Sequence, residues 1–293
     1  MKKSMKNSLS FIISLLTMFA IFVASISLFL NKIILNEQTY TKILQQENIP
    51  HQIKSHIEES LSYLLISNNI PSDILDDIIS QDEIEENLNN YVYYTVGIMK
   101  NKTGKINSVD MTVYEKRIDE RINDFINKNK ENINDEFYGN LANFRASALK
   151  IISSSLEVID LNKLSTSQSI NLVAKISTIV SGVKFLGLTI LSIIILSITH
   201  FAIWIDGRKN RRYAWMSYPF ISSGMILFLI GFSGYISKFY ENVAINTFYL
   251  KNTSITIMET YLLSLTYLGI GVFILGLALI SIYWKHLFKT HKA

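Results

Sequence analysis

Residues 80–91, SQDEIEENLNNY, place four carboxylates within five positions: Asp82, Glu83, Glu85 and Glu86. Carboxylates this crowded can hold a divalent cation, work as an acid–base pair, or line the start of a helix. A calcium loop needs oxygens spaced around a glycine turn, D-x-[DN]-x-[DN]-G, and that pattern is absent. An acid–base pair needs carboxylates that face each other across a cleft, which spacing alone does not specify. Ser80 and Glu83, by contrast, have the S-x-x-E spacing of a capping box, in which each side chain satisfies an orphan amide at a helix start. The remaining acids then lie near the positive end of the helix dipole, where each helps by a few tenths of a kcal/mol. The cluster is therefore expected to open a helix, with divalent-cation binding at 82–86 as the alternative. Thr112 and Glu115 repeat the same spacing.

Other residues capable of chemistry are scattered. His51 and His56 are five apart, about 140° around a helix, whereas metal-binding pairs sit three or four apart. His200 lies in an apolar run, where a histidine is either a proton-relay member or an interhelical hydrogen-bonding group. Tyr91, Tyr93 and Tyr94 could stack on sugars, but with 15 tyrosines in the chain packing is the simpler expectation. Asn101 and Asn252 head N-x-[ST] triplets, which matter only in a eukaryotic secretory setting. There is no phosphate-binding glycine loop, nucleophile elbow or H-E-x-x-H. The chain has no cysteine, so it has no disulfide or thiolate ligand. No catalytic, cofactor-binding or metal-ligating residue is assigned, no cofactor is expected, and an enzyme is not the expected class.

The elements that would position these residues are apolar. Of 293 residues 49% are hydrophobic, and four stretches, 9–30, 185–205, 214–236 and 261–284, are free of Asp, Glu, Lys and Arg. Each matches the roughly 20 residues a bilayer-crossing helix needs. The first is too long for a typical signal peptide and reads as an uncleaved signal anchor. The head (1–8) has Lys2, Lys3 and Lys6; the 206–213 loop has Arg208, Lys209, Arg211 and Arg212; the tail (285–293) has Lys285, Lys289 and Lys292. These ten cations face one acid, Asp206, while the rest of the chain carries a net charge of −5. Short basic segments stay in the cytoplasm, so both termini are expected there in the plasma membrane. Trp204, Trp215 and Trp284 fall at the same ends of the spans, as interfacial indoles should.

The expected fold is all-α: four transmembrane helices plus an extracytoplasmic helical bundle, 31–184, between spans 1 and 2, with a short outer loop at 237–260. In the large segment Ile53, Ile57, Leu61 and Leu64 form one stripe behind Pro50, and Tyr114, Ile118, Ile122 and Phe125 another. Phe137, Leu141, Phe144, Ala148, Ile151 and Val158 form a longer one, as a bundle helix should. Ser165 and Gln168 suggest a box opening a last helix with Leu172, Ile176 and Ile179 on one side. Nothing stronger than Gly182 separates that helix from the second span, so it is expected to run straight into it. NKIILNEQTYTKIL is likewise expected to extend the first span. Glycines in the spans, from Gly187 to Gly276, suit close helix approach.

A helical bundle between two spans resembles bacterial four-helix sensor ectodomains, although the cytoplasmic parts here have no room for a signalling domain. The stretch LNNYVYYTVGIMKNKTGKINSVDMTVYEKRI, 88–118, is similar to that of four-span bacterial membrane proteins with an outer helical domain, a resemblance that implies no activity. The expected function is non-enzymatic: a receptor-like, scaffold or assembly subunit working through membrane lipid and other membrane or cell-envelope proteins, with homo-oligomers possible and no nucleic acid. The alternative is a subunit of an oligomeric transporter or channel. Against it stands the lack of a charged residue at mid-membrane, where ion pathways usually keep one.

Overall fold

The computed structural model describes residues 3–100, 109–129, 135–157, 168–180, 182–204, 211–245 and 247–291. They form α1 (Lys3–Phe29, continued by a π-helical turn Leu30–Ile34), α2 (Glu37–Gln46), α3 (Ile49–Ser67), α4 (Gln81–Met99), α5 (Met111–Lys128), α6 (Asp135–Leu156), α7 (Gln168–Val180), α8 (Val183–Ile203), α9 (Arg211–Ser237) and α10 (Phe248–His291). Among the described residues the structure is all-helical apart from turns, and four segments are long and apolar enough to cross a membrane: Ser4–Ile34, Lys184–Ile203, Arg211–Ser237 and Phe248–Lys285. The chain divides into two compact units. One takes Met1–Asn36, Val173–Ala244 and Ser254–Ala293; the other takes Glu37–Leu172 and Ile245–Thr253.

The Glu37–Leu172 unit is a helical bundle with an aliphatic core. The α3 stripe is buried at Ile53, Ile57 and Leu61 and continues at Leu65, with the expected Leu64 only partly buried; it meets Ile84 and Leu88 of α4, Tyr114, Ile118 and Ile122 of α5, and Phe144, Ala148 and Ile152 of α6. Burying each such side chain is worth about 1.5–3 kcal/mol. Pro50 occupies the first turn of α3, where its missing N–H is harmless. The helix stops in a Schellman arrangement. Asn69 takes a left-handed φ of 57°, Ile70 N–H donates to Leu65 O at 2.9 Å, and Asn69 N–H donates to Ile66 O at 3.1 Å. The segment after it contributes Ile70, Leu75, Ile78 and Ile79 to the core, which no periodicity announced because the segment is not a helix.

The box at α4 is present in both directions. Glu83 N–H donates to Ser80 Oγ at 3.2 Å, and Ser80 N–H donates to Glu83 Oε2 at 2.8 Å. Ser80→Ala should lower the stability of this unit by about 1 kcal/mol, read as earlier melting and faster amide exchange at residues 81–84; unchanged exchange there would refute the cap. The second expected box is corrected. Helix α5 starts one residue before Thr112, and its cap is Asp110, whose carboxylate accepts from Thr112 N–H at 3.0 Å and from the Thr112 hydroxyl at 2.6 Å. An ionised carboxylate is the stronger acceptor, so it displaces the hydroxyl as cap. Ser165, Phe137 and Val158 lie outside the described residues or side chains.

In the other unit α1 packs against both α8 and α9. It is the most enclosed of the four spans, with 39% of its apolar window buried against 6% for the α8 window. Its inner face is Ser10, Ile13, Ser14, Thr17, Ile21, Ala24, Ser25 and Ser27. Six of these eight are Ser, Thr or Ala, small enough to let backbones approach, which favours helix association in lipid. Helices α9 and α10 meet through glycines: a Cβ on Gly224 would lie 2.5 Å from Phe273 N, and one on Gly231 would lie 2.6 Å from Thr266 N. Gly187 and Gly271 have nothing within 4 Å of such a Cβ, so not every glycine in the spans is a contact.

Three boundary expectations change. The 237–260 loop is helical from Phe248 onward, because Thr, Ile, Met and Leu sustain α10 there; Tyr249 and Thr253 are buried. The helix before the second span does not run into it. Gly182 is extended (φ −61°, ψ 130°) and caps α8. The extension of α1 holds through Ile34, then breaks before α2.

Candidate functional site

The four carboxylates of the opening cluster go to different partners. Asp82 and Glu86 are exposed. Glu85 accepts from Gln45 Nε2 of α2 at 2.8 Å. Glu83 receives both arms of Arg117 from α5, at 2.7 and 3.1 Å, while the same guanidinium reaches Ile78 O at 2.9 Å. That arginine, together with the Ser80 bonds, holds the Glu83 carboxyl down to about 2. The cluster is thus a helix start joined to an interhelical tie. Among the described residues no three His, Asp or Glu side chains gather as metal ligands would. His51 is exposed, and the ring of His56 lies 6.1 Å from that of Tyr249. Tyr93 meets Tyr94 edge to face at 5.6 Å.

The structure does assemble one polar site the residue spacing did not single out. It starts from Pro219, inside α9. In a regular helix the N–H of residue 219 would donate to the carbonyl of Trp215, but proline has none, which orphans that acceptor. Ser14 of α1 fills the gap, its Oγ donating to Trp215 O at 3.1 Å. A hydroxyl has a single proton, so Ser14 can only accept from its other neighbour, His200 Nε2 of α8, 3.3 Å away. The imidazole is thereby assigned its Nε2–H tautomer, with Nδ1 bare. His200 is fully buried, and its Nδ1 has no hydrogen-bond partner. Just beyond, Trp204 Nε1 donates to Ser10 Oγ at 2.9 Å.

A serine beside a histidine invites a catalytic reading. General-base activation requires the serine proton to go to the imidazole, and a third group to orient the ring through its other nitrogen. Here the proton goes to a backbone carbonyl, and Nδ1 meets no such group among the described residues. Among the described residues the hydrogen-bond chain ends at that same atom. The arrangement is a clasp joining α8 to α1 and α1 to α9. Trp204 is 4% exposed and bonded inside the bundle, whereas Trp284 is 56% exposed. The sequence carries two signals for the clasp, the hydroxyl residues Ser10, Ser14 and Thr17 in the first apolar run and Pro219 in the third.

The clasp has a test in coupling. Ser14→Ala should cost about 1–2 kcal/mol, because a buried N–H and a buried C=O both lose their partner. In a Pro219→Ala background, where residue 219 again donates to Trp215 O, the same change should cost less, because only the histidine N–H is then stranded. Equal costs in both backgrounds, measured by thermal melting in detergent, would refute the orphan-carbonyl account.

At the same end of the helices sit two arginines. Arg211 lies over the Trp204 ring at 5.7 Å, and Arg212 over Phe201 at 4.7 Å and Tyr213 at 5.1 Å. The Phe201 and Tyr213 rings meet edge to face at 5.9 Å. Arg212 Nε is buried with no hydrogen-bond partner. The loop residues 206–210 lie outside the described structure.

No family model, curated protein or solved structure matches this chain.

Proposed function

We propose that this is a plasma-membrane protein with both termini in the cytoplasm, its Glu37–Leu172 unit inserted outside the cell between the first and second spans, acting as a receptor-like or assembly subunit through proteins that dock on it. The observation that carries this reading is the outward stripe of α7. Leu172, Ile176 and Ile179 are 60%, 55% and 63% exposed, while the opposite side, Ala174 and Ser177, is closed. The expected apolar side of this helix therefore faces away from the protein's own packing. Helix α8 alone, 21 residues long, spans about 31 Å at 1.5 Å per residue, roughly a hydrocarbon core. The stripe precedes that span, beside the end of the first, where Ser27 Oγ donates to Val180 O, and a protein partner would cover it. The charge asymmetry of the sequence supports the orientation.

Because the chain has no cysteine, single cysteines report topology cleanly. A membrane-impermeant thiol reagent on intact cells should label Glu120→Cys and not a cysteine added after Ala293; the reverse would overturn the orientation. A photo-crosslinking residue at Ile176 should give a defined larger product in native membranes, whereas monomer alone would overturn the docking role.

A further inference from the structure

We propose that the Arg211–Arg212 end of α9, with Phe201, Trp204 and Tyr213, is a binding site for the phosphate of an anionic glycerophospholipid. The inference rests on the reading that α8 and α9 cross the membrane.

Both guanidiniums lie over aromatic rings. Such contacts place the charge without using up the N–H groups that recognise phosphate. Among the described residues neither arginine forms an ion pair. Arg212 Nε has no hydrogen-bond partner. The electrostatics point the same way. Both cations occupy the first turn of α9, which has no acidic residue, so they add to the positive end of the helix dipole instead of offsetting it. The connecting loop adds Arg208 and Lys209 and a single acid, Asp206, so one carboxylate cannot neutralise four cations. A counter-anion is what the arrangement is short of.

The position identifies its source. Trp204 and Arg211 flank the apolar runs of α8 and α9, at the level where headgroup phosphates lie in a bilayer. A zwitterionic lipid brings a cation with its phosphate and so relieves less of the surplus charge. An anionic headgroup relieves it, as it does at other basic segments next to a membrane.

The test uses the full chain purified in neutral detergent, with phosphatidylglycerol, phosphatidylcholine or inorganic phosphate added separately. Phosphatidylglycerol should raise the melting temperature, and native mass spectrometry should retain one or two lipids per chain. Phosphatidylcholine and inorganic phosphate should do neither. The R211Q/R212Q variant should lose most of the shift and the retained lipid, while R211K/R212K keeps part, since a lysine keeps the charge without the fork. If the glutamine variant does not fold, the lysine variant in competition with wild type for limiting lipid supplies the comparison. Equal responses to the two lipids, a response to inorganic phosphate alone, or full lipid retention by the glutamine variant would overturn the site. Carbonate extraction of the protein from native membranes would instead overturn the membrane reading itself, so the two failures are distinguishable.

Discussion

Gly269→Ala should destabilise the membrane-spanning unit by about 2–3 kcal/mol, while Gly271→Ala, two residues along the same helix, should leave it unchanged or stabilise it by up to about 1 kcal/mol. The two changes add the same methyl group and gain the same helix propensity. What differs is the space it enters. A Cβ at Gly269 would lie 2.8 Å from Phe228 Cα and 2.9 Å from Gly224 O, both backbone atoms of α9. Backbone cannot rotate away as a long side chain can, so the helices must separate. Separation strips contact along the whole seam, because Gly224, Gly231 and Gly276 place backbones within the same reach. In lipid no hydrophobic gain compensates, since tails are as apolar as the side chains they would replace. At Gly271 there is nothing within 4 Å, and only the lower chain entropy of alanine remains. Melting of the three proteins in one detergent, with proteolysis at a fixed temperature as a second readout, checks the opposite signs. If both substitutions shift melting equally, α9 and α10 do not pack through this seam.

That contrast marks how far the sequence could be read. The four spans were legible because a bilayer demands some twenty uncharged residues, a constraint strong enough to show in composition alone. The cap at Ser80 was legible because its partner lies three residues away, and so were the α3 and α5 stripes, which depend on the 3.6-residue period. Gly269 and Gly271 look alike in sequence, and only the facing helix separates them. The clasp was hidden for the same reason. Ser14, His200 and Trp215 come from three helices, and the step that brings them together is the hydrogen bond Pro219 cannot make. The exposed stripe of α7 was read as an apolar side, but periodicity does not say whether a face meets protein or its surroundings. Local rules set the elements, and the sites arise where elements far apart in the chain meet.

The bond between α4 and α5 shows what that meeting adds, and it predicts an acid response. Glu83 was visible as half of a capping box; its second role, as the partner of Arg117, was not. Its carboxyl has an ordinary value of 4.5 and in the fold titrates at about 2, first because of Arg117 and then because of the Ser80 amide and hydroxyl. A carboxylate depressed in this way adds stability that is fully present above pH 4.5 and is lost as the pH falls through about 2. In full, such a shift would amount to about 3 kcal/mol at 1.36 kcal/mol per unit. Arg117 and Glu83 are 38% and 31% exposed, so solvent screening reduces the contribution to on the order of 1–2 kcal/mol. Arg117→Met should cost more, about 2–3 kcal/mol, because it strands the Glu83 carboxylate and also removes the donor to Ile78 O. Glu83→Gln should flatten the acid limb between pH 4.5 and 2, and adding it to Arg117→Met should cost little further, since the tie is already broken. Amide exchange across residues 81–99 and 111–128 in the full chain reads all three. An acid limb that stays as steep in Glu83→Gln would assign the response to other carboxylates and reduce the Arg117 contact to a surface ion pair.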